Sequence, residues 1–130
     1  MKLIIGGAYQ GKLDFALKTC KLAASEVYVC TKYCPSVDFR PVIYALEEFS
    51  YAMIALGEGL EPLEYFRSRK SEWENSIIIA TDISCSVVPI DALEREWREA
   101  HGRLMNYLSS EADTVVRLFL GIPEVIKGEI

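Results

Sequence analysis

Lys2-Leu3-Ile4-Ile5-Gly6-Gly7-Ala8-Tyr9-Gln10-Gly11-Lys12-Leu13 is the stretch that decides how the rest of the chain reads. A short apolar run closed by a glycine pair is the pattern of a buried strand entering a tight turn. From Lys12 to Ala24 the apolar residues Leu13, Phe15, Ala16, Leu17, Cys20, Leu22 and Ala23 recur at helical spacing, which predicts a helix. Between the two, Gly6 to Lys12 satisfies G-x-x-x-x-G-K, the phosphate-binding loop pattern short of its final Ser or Thr. Glycines let such a backbone wrap so that successive N–H groups point at phosphate oxygens, and the following helix adds its positive end. Lys12 would bring a point charge to the terminal phosphates and is a candidate catalytic residue. Gly6, Gly7, Ala8, Tyr9, Gln10, Gly11, Lys12 and Leu13 are the candidate nucleotide-binding residues. In a complete loop the residue after the Lys coordinates Mg²⁺ through a hydroxyl, which Leu13 lacks, so Mg²⁺ is expected to be held weakly or not at all. The competing reading is a glycine turn that keeps only a structural role.

Outward from this loop, the chain alternates strands and helices. Glu26 to Thr31 and Val42 to Leu46 are strand-like, and Glu47 to Leu56 is helix-like before Gly57-Glu58-Gly59. Pro62 opens a predicted helix to about Trp73. Ser76-Ile77-Ile78-Ile79-Ala80-Thr81-Asp82 is the clearest strand, continuous, β-branched and ending in an acid. Asp91 to Leu108 predicts a long helix with Leu93, Trp97, Ala100, Leu104 and Leu108 on one face. Thr114 to Leu120 reads as a last strand, ended by Gly121 and Pro123. Alternation with fully apolar strands implies a parallel sheet covered on both faces. The expected fold is therefore a three-layer α/β domain with a mostly parallel sheet, of the P-loop nucleoside triphosphate hydrolase type, spanning residues 1–130 as one domain.

Asp82 is the second candidate. An acid ending a buried strand next to a phosphate loop can hold Mg²⁺ or its water shell, which makes Asp82 the candidate metal and catalytic carboxylate. An Asp in that place also caps turns through its side chain.

The bulk properties narrow the function classes. At 130 residues the chain fits one domain with a sizeable core. Its 14 Lys and Arg against 19 Asp and Glu give a net charge of −5, the wrong sign for a general nucleic-acid or anionic-membrane binder. The best candidate for a membrane span, Val42 to Leu60, is interrupted by Glu47, Glu48 and Glu58, so no span is expected. The apolar run at the N-terminus is too short for a signal peptide, and a cytoplasmic protein is expected. Cys20, Cys30, Cys34 and Cys85 lack zinc-site spacing and read as ordinary thiols. The single histidine, His101, lies on the charged helix and reads as a solvated surface residue. The aromatic-rich stretch from Phe39 to Phe66 could line a pocket or a subunit interface, but its spacing fits plain core better.

Four segments in order carry a resemblance: Gly6-Gly7-Ala8 with Gly11-Lys12, the strand and acid running on to Val87-Val88-Pro89, Gly102-Arg103-Leu104 to Ala112-Asp113, and Gly121-Ile122-Pro123 to Lys127. Their succession resembles the bifunctional adenosylcobinamide kinase/adenosylcobinamide-phosphate guanylyltransferase family of cobalamin biosynthesis. The resemblance spans about the first 25 and last 55 residues, and the middle is short and divergent. It implies a phosphate-loop α/β fold, GTP or ATP with Mg²⁺ as cofactors, cobinamide as second substrate, and a homo-oligomer. Family members phosphorylate a cobinamide hydroxyl and then transfer GMP through a guanylylated histidine.

The departures bear on chemistry. Tyr9, Gln10 and Leu13 stand where the family's loop has Arg, Ser and the Mg²⁺-binding Ser. Ser84 and Ser86 replace two glycines after the acid, and Met105-Asn106 replaces an Asn-Gln pair. The middle segment holds no histidine, so guanylyl transfer lacks its nucleophile. Three readings follow: a weakened kinase using Lys12 and Asp82, a nucleotide-binding regulatory relative without turnover, or a structural oligomeric relative that binds no nucleotide.

Overall fold

The computed structural model describes residues 1–7, 11–57, 59–83 and 91–129. Its elements run β1 (Lys2–Gly6), α1 (Lys12–Cys20), β2 (Val27–Val29), β3 (Val42–Tyr44), α2 (Leu46–Leu56), α3 (Pro62–Arg67), α4 (Lys70–Trp73), β4 (Ile77–Thr81), α5 (Ala92–Glu111), β5 (Thr114–Phe119) and β6 (Ile122–Lys127). They form one six-stranded sheet in the order β2-β3-β4-β1-β5-β6, and β1 to β5 are all parallel. The α/β class and the mostly parallel sheet expected from the alternation are both present.

Strand β1 is central because its residues are apolar on both faces. Leu3 and Ile78 pack into a cluster with Phe49, Phe66, Trp73, Leu104 and Leu108 beneath α2, α3 and α5. Ile4 and Ile79 pack the other way, with Ala16 of α1 and Leu118 of β5. Alternation along each strand thus feeds two cores, one per face, as buried parallel strands require. The aromatic stretch is core: Phe49 meets Tyr65 and Phe66 at centroid distances of 5.0 and 5.4 Å.

Three differences from the sequence reading change the architecture. Helix α1 stops at Cys20 rather than Ala24, because Lys21 turns left-handed at φ 53° and Leu22 N–H bonds Leu17 O. The helix opened by Pro62 breaks into α3 and α4 where Arg69 leaves helical geometry at φ −123°. The predicted terminal strand continues into a hairpin. Leu120 and Gly121 both take positive φ, 53° and 75°, forming a two-residue turn that returns the chain as β6, antiparallel to β5. Gly121 and Pro123 therefore mark a turn and an edge strand, where a proline costs no ladder bond to a further strand.

Among the described residues, no helix is long and apolar enough to cross a membrane.

Candidate functional site

The topology opens a crevice at one place. From β1 the chain enters α1 on one face of the sheet, while the chain beyond β4 leads to α5 on the other. β1 and β4 are hydrogen-bonded neighbours, and the helices that next follow them among the described elements, α1 and α5, pack on opposite faces of the sheet. Ligands of open α/β sheets bind at such switch points. Gly6, Gly7, Lys12 and Asp82, separated by up to 76 positions in sequence, meet there.

Gly6 ends β1 and has a packing reason to be glycine. A Cβ at this position would stand 2.6 Å from Leu118 O of neighbouring β5. The carbonyl of Gly6 accepts the Asp82 N–H at 2.7 Å, tying the exit of β4 to the exit of β1. Gly11 needs glycine for a different reason: it precedes α1 in the left-handed conformation, φ 76°, with open space where a Cβ would go. Ala8, Tyr9 and Gln10 lie outside the described residues.

Lys12 is the first residue of α1 and is only 6% exposed. Its ammonium donates to Gly7 O at 2.7 Å, folding back across the loop. Burial lowers its pKa, and the nearby Glu47 carboxylate partly opposes that shift. Leu13 is half-buried and packs with the α1-face core, so its side chain brings no oxygen to the loop.

Glu47 escaped the sequence reading. It sits in the first turn of α2, just past β3, where a carboxylate also suits the positive helix end. Its Oε1 accepts Thr81 N–H from the end of β4 at 2.8 Å, and its carbonyl accepts Trp97 Nε1–H of α5 at 3.0 Å. Burial pushes its pKa up, while the Thr81 bond and Lys12 pull it down. An acid immediately after a buried strand was the signal that singled out Asp82. A related signal, an acid soon after the strand-like run Val42 to Leu46, points to Glu47.

Asp82 is exposed and lines two adjoining cavities. One, about 200 Å³, reaches Gly6, Gly7, Arg117 and Phe119 on the loop side. The other, about 330 Å³, extends along α5 past Arg98, His101 and Asn106. Among the described residues, no three His, Cys, Asp or Glu side chains converge to hold a metal. Mg²⁺ commonly rests on one or two carboxylates plus substrate phosphates, so Asp82 is the residue present that suits that role. Ser84, Cys85 and Ser86 lie outside the described residues.

His101 corrects the sequence reading. It is 3% exposed, not solvated, because α5 turns this position inward beside Ala100 and Leu104. Its Nδ1 lies 2.8 Å from Ser50 Oγ of α2. Burial holds its pKa down at about 4, with Asp82 opposing the shift, so the ring is neutral at pH 7.

No family model matches the chain, and no curated protein matches it significantly.

Proposed function

We propose that this chain binds a nucleoside triphosphate, GTP or ATP, at the β1–α1 loop, and that it transfers a phosphoryl group as a cobinamide kinase-like protein. The observation that carries the proposal is Lys12: a buried ammonium at the start of a helix, held on the carbonyl of its own glycine loop, at the switch point of a parallel sheet. A phosphate oxygen is a stronger acceptor for that ammonium than the neutral Gly7 carbonyl, so nucleotide would draw Lys12 off Gly7. The Glu47 carboxylate favours the charged form of the ammonium, opposing part of the effect of burial. Asp82, tied to Gly6 through its backbone, would hold Mg²⁺, which would neutralise phosphate charge during transfer.

Guanylyl transfer is not part of the proposal. His101 is enclosed, neutral at pH 7 and engaged with Ser50 through Nδ1, which suits a nucleophile poorly. A homo-oligomer in the cytoplasm is the setting the family resemblance implies. Phe119, Leu120, Ile122 and Ile126 of the exposed β5–β6 hairpin would suit a subunit contact.

The second reading, nucleotide binding without turnover, is favoured by Leu13, whose side chain belongs to the core. Incubation with ATP or GTP, Mg²⁺ and cobinamide separates the two. A product heavier by one phosphoryl group supports the kinase. Nucleotide binding that ignores Mg²⁺, with no product, supports the second reading.

A further inference from the structure

Arg117 is the one charged residue of β5, a strand whose two edges are both paired, by β1 and β6. The strand is buried from Thr114 to Val116, and Arg117 is its first exposed position. In the parallel register Arg117 stands beside Ile5 of β1. Side chains alternate along a strand, so Arg117 shares a face with Val115, which is buried in the core beneath α2, α3 and α5. Val115 lies under that cover and Arg117 beyond it, where the crevice begins.

The cavity of about 200 Å³ at this place is lined by Arg117 together with Gly6 and Gly7 of the loop. The Gly7 carbonyl also accepts the Lys12 ammonium at 2.7 Å. One turn of backbone therefore borders both cations, Lys12 from α1 and Arg117 from β5. Glu124 stands directly opposite Arg117 on β6, yet the two form no ion pair, and among the described residues Arg117 has no other ionic or hydrogen-bond partner. The other charged group on the wall, Asp82, is the carboxylate given above to Mg²⁺, which leaves Arg117 as the wall's own cation. A guanidinium presents its N–H donors as a rigid fork that matches a pair of phosphate oxygens. Leu13 brings no oxygen for a metal, so more of the phosphate charge falls to side chains.

We propose that Arg117 is a second phosphate-binding residue of the nucleotide site, its guanidinium donating to oxygens of the bound triphosphate from β5 while Lys12 donates from α1. The inference rests on the nucleotide-binding reading and adds to it a residue outside the loop pattern.

Calorimetric titration of GTP and ATP, with Mg²⁺, into wild type, Arg117→Gln and Glu124→Gln is the test, with Lys12→Ala alongside. Arg117 and Glu124 are both exposed, so their replacement leaves the two cores intact, and unfolding temperatures should agree across the first three proteins. Loss of a charge-assisted bond to phosphate should weaken nucleotide binding roughly 10-fold or more in Arg117→Gln. Glu124→Gln should bind as the wild type does, whereas a purely structural pairing across the hairpin would make the two variants fall together. Equal affinity in Arg117→Gln and wild type, or the same loss in Glu124→Gln, would overturn the assignment of Arg117. The nucleotide site itself would then still stand if Lys12→Ala weakens binding. Wild-type protein that binds neither nucleotide would overturn both.

Discussion

Acidification from pH 7 to pH 5 should cost the fold about 2 kcal/mol through one side chain, His101. In the folded chain burial lowers its pKa from 6.5 to about 4, the Asp82 charge offsetting part of the effect. Between those two values the unfolded chain binds a proton that the folded chain refuses. Stability therefore rises with pH across that window and is lost as pH falls through it. The full shift corresponds to about 3 kcal/mol, and a two-state titration places about 2 kcal/mol of it between pH 7 and pH 5. Glu47 acts with the opposite sign: burial raises its pKa above 4.5, so in its own window the folded chain binds more protons and stability falls as pH rises. Comparison with His101→Gln cancels Glu47 and every other carboxylate. Urea unfolding of both proteins at pH 5, 6 and 7 is the assay, and the pH slope, not the absolute stability, is the readout. The wild type should lose about 2 kcal/mol more than the variant on acidification. Parallel slopes would refute the burial of a neutral imidazole between α2 and α5.

Gly6→Ala should destabilise by about 1–3 kcal/mol by forcing β1 from β5, whereas Gly11→Ala should cost about 1 kcal/mol from its left-handed backbone alone. Thermal unfolding distinguishes them, and a Gly6→Ala protein no less stable than Gly11→Ala would contradict the contact with Leu118 O. Glu47→Ala strips the acceptor from Thr81 N–H and should cost about 1–3 kcal/mol in urea unfolding. A change within error would show that this bond does not secure α2 to β4. Leu13→Ser restores the hydroxyl that phosphate loops offer to Mg²⁺, and should make nucleotide binding more Mg²⁺-dependent. An unchanged Mg²⁺ response in a folded variant would mean that position 13 does not face the metal.

The fold was largely legible because its central strands β1 and β4 are short and apolar on both faces, the pattern of a covered parallel sheet. The strands Lys2–Gly6 and Ile77–Thr81 could be read from local sequence alone. The β6 hairpin was less visible, because it depends on Leu120, an ordinary side chain, adopting a left-handed turn beside Gly121. At the site, Lys12 and Asp82 carried local signals: a spacing and a strand-ending acid. The roles of Glu47 and His101 arise from contacts across the fold, Glu47 with Thr81 and Trp97, His101 with Ser50 at a separation of 51 residues. A helix full of Glu and Arg disguised the face of α5 that turns His101 inward. Gly6 entered the reading as part of a candidate phosphate loop, and its neighbour Leu118 supplies a packing reason for glycine that the local sequence does not show.

The central claim is that Lys12 belongs to a nucleotide site, and calorimetric titration of GTP and ATP into wild type and Lys12→Ala tests it most directly. A charge-assisted hydrogen bond contributes about 1.5–3 kcal/mol, so the variant should bind roughly 10- to 100-fold more weakly at an unchanged fold. Wild-type protein that binds neither nucleotide, or equal affinity in the two proteins, would contradict the account.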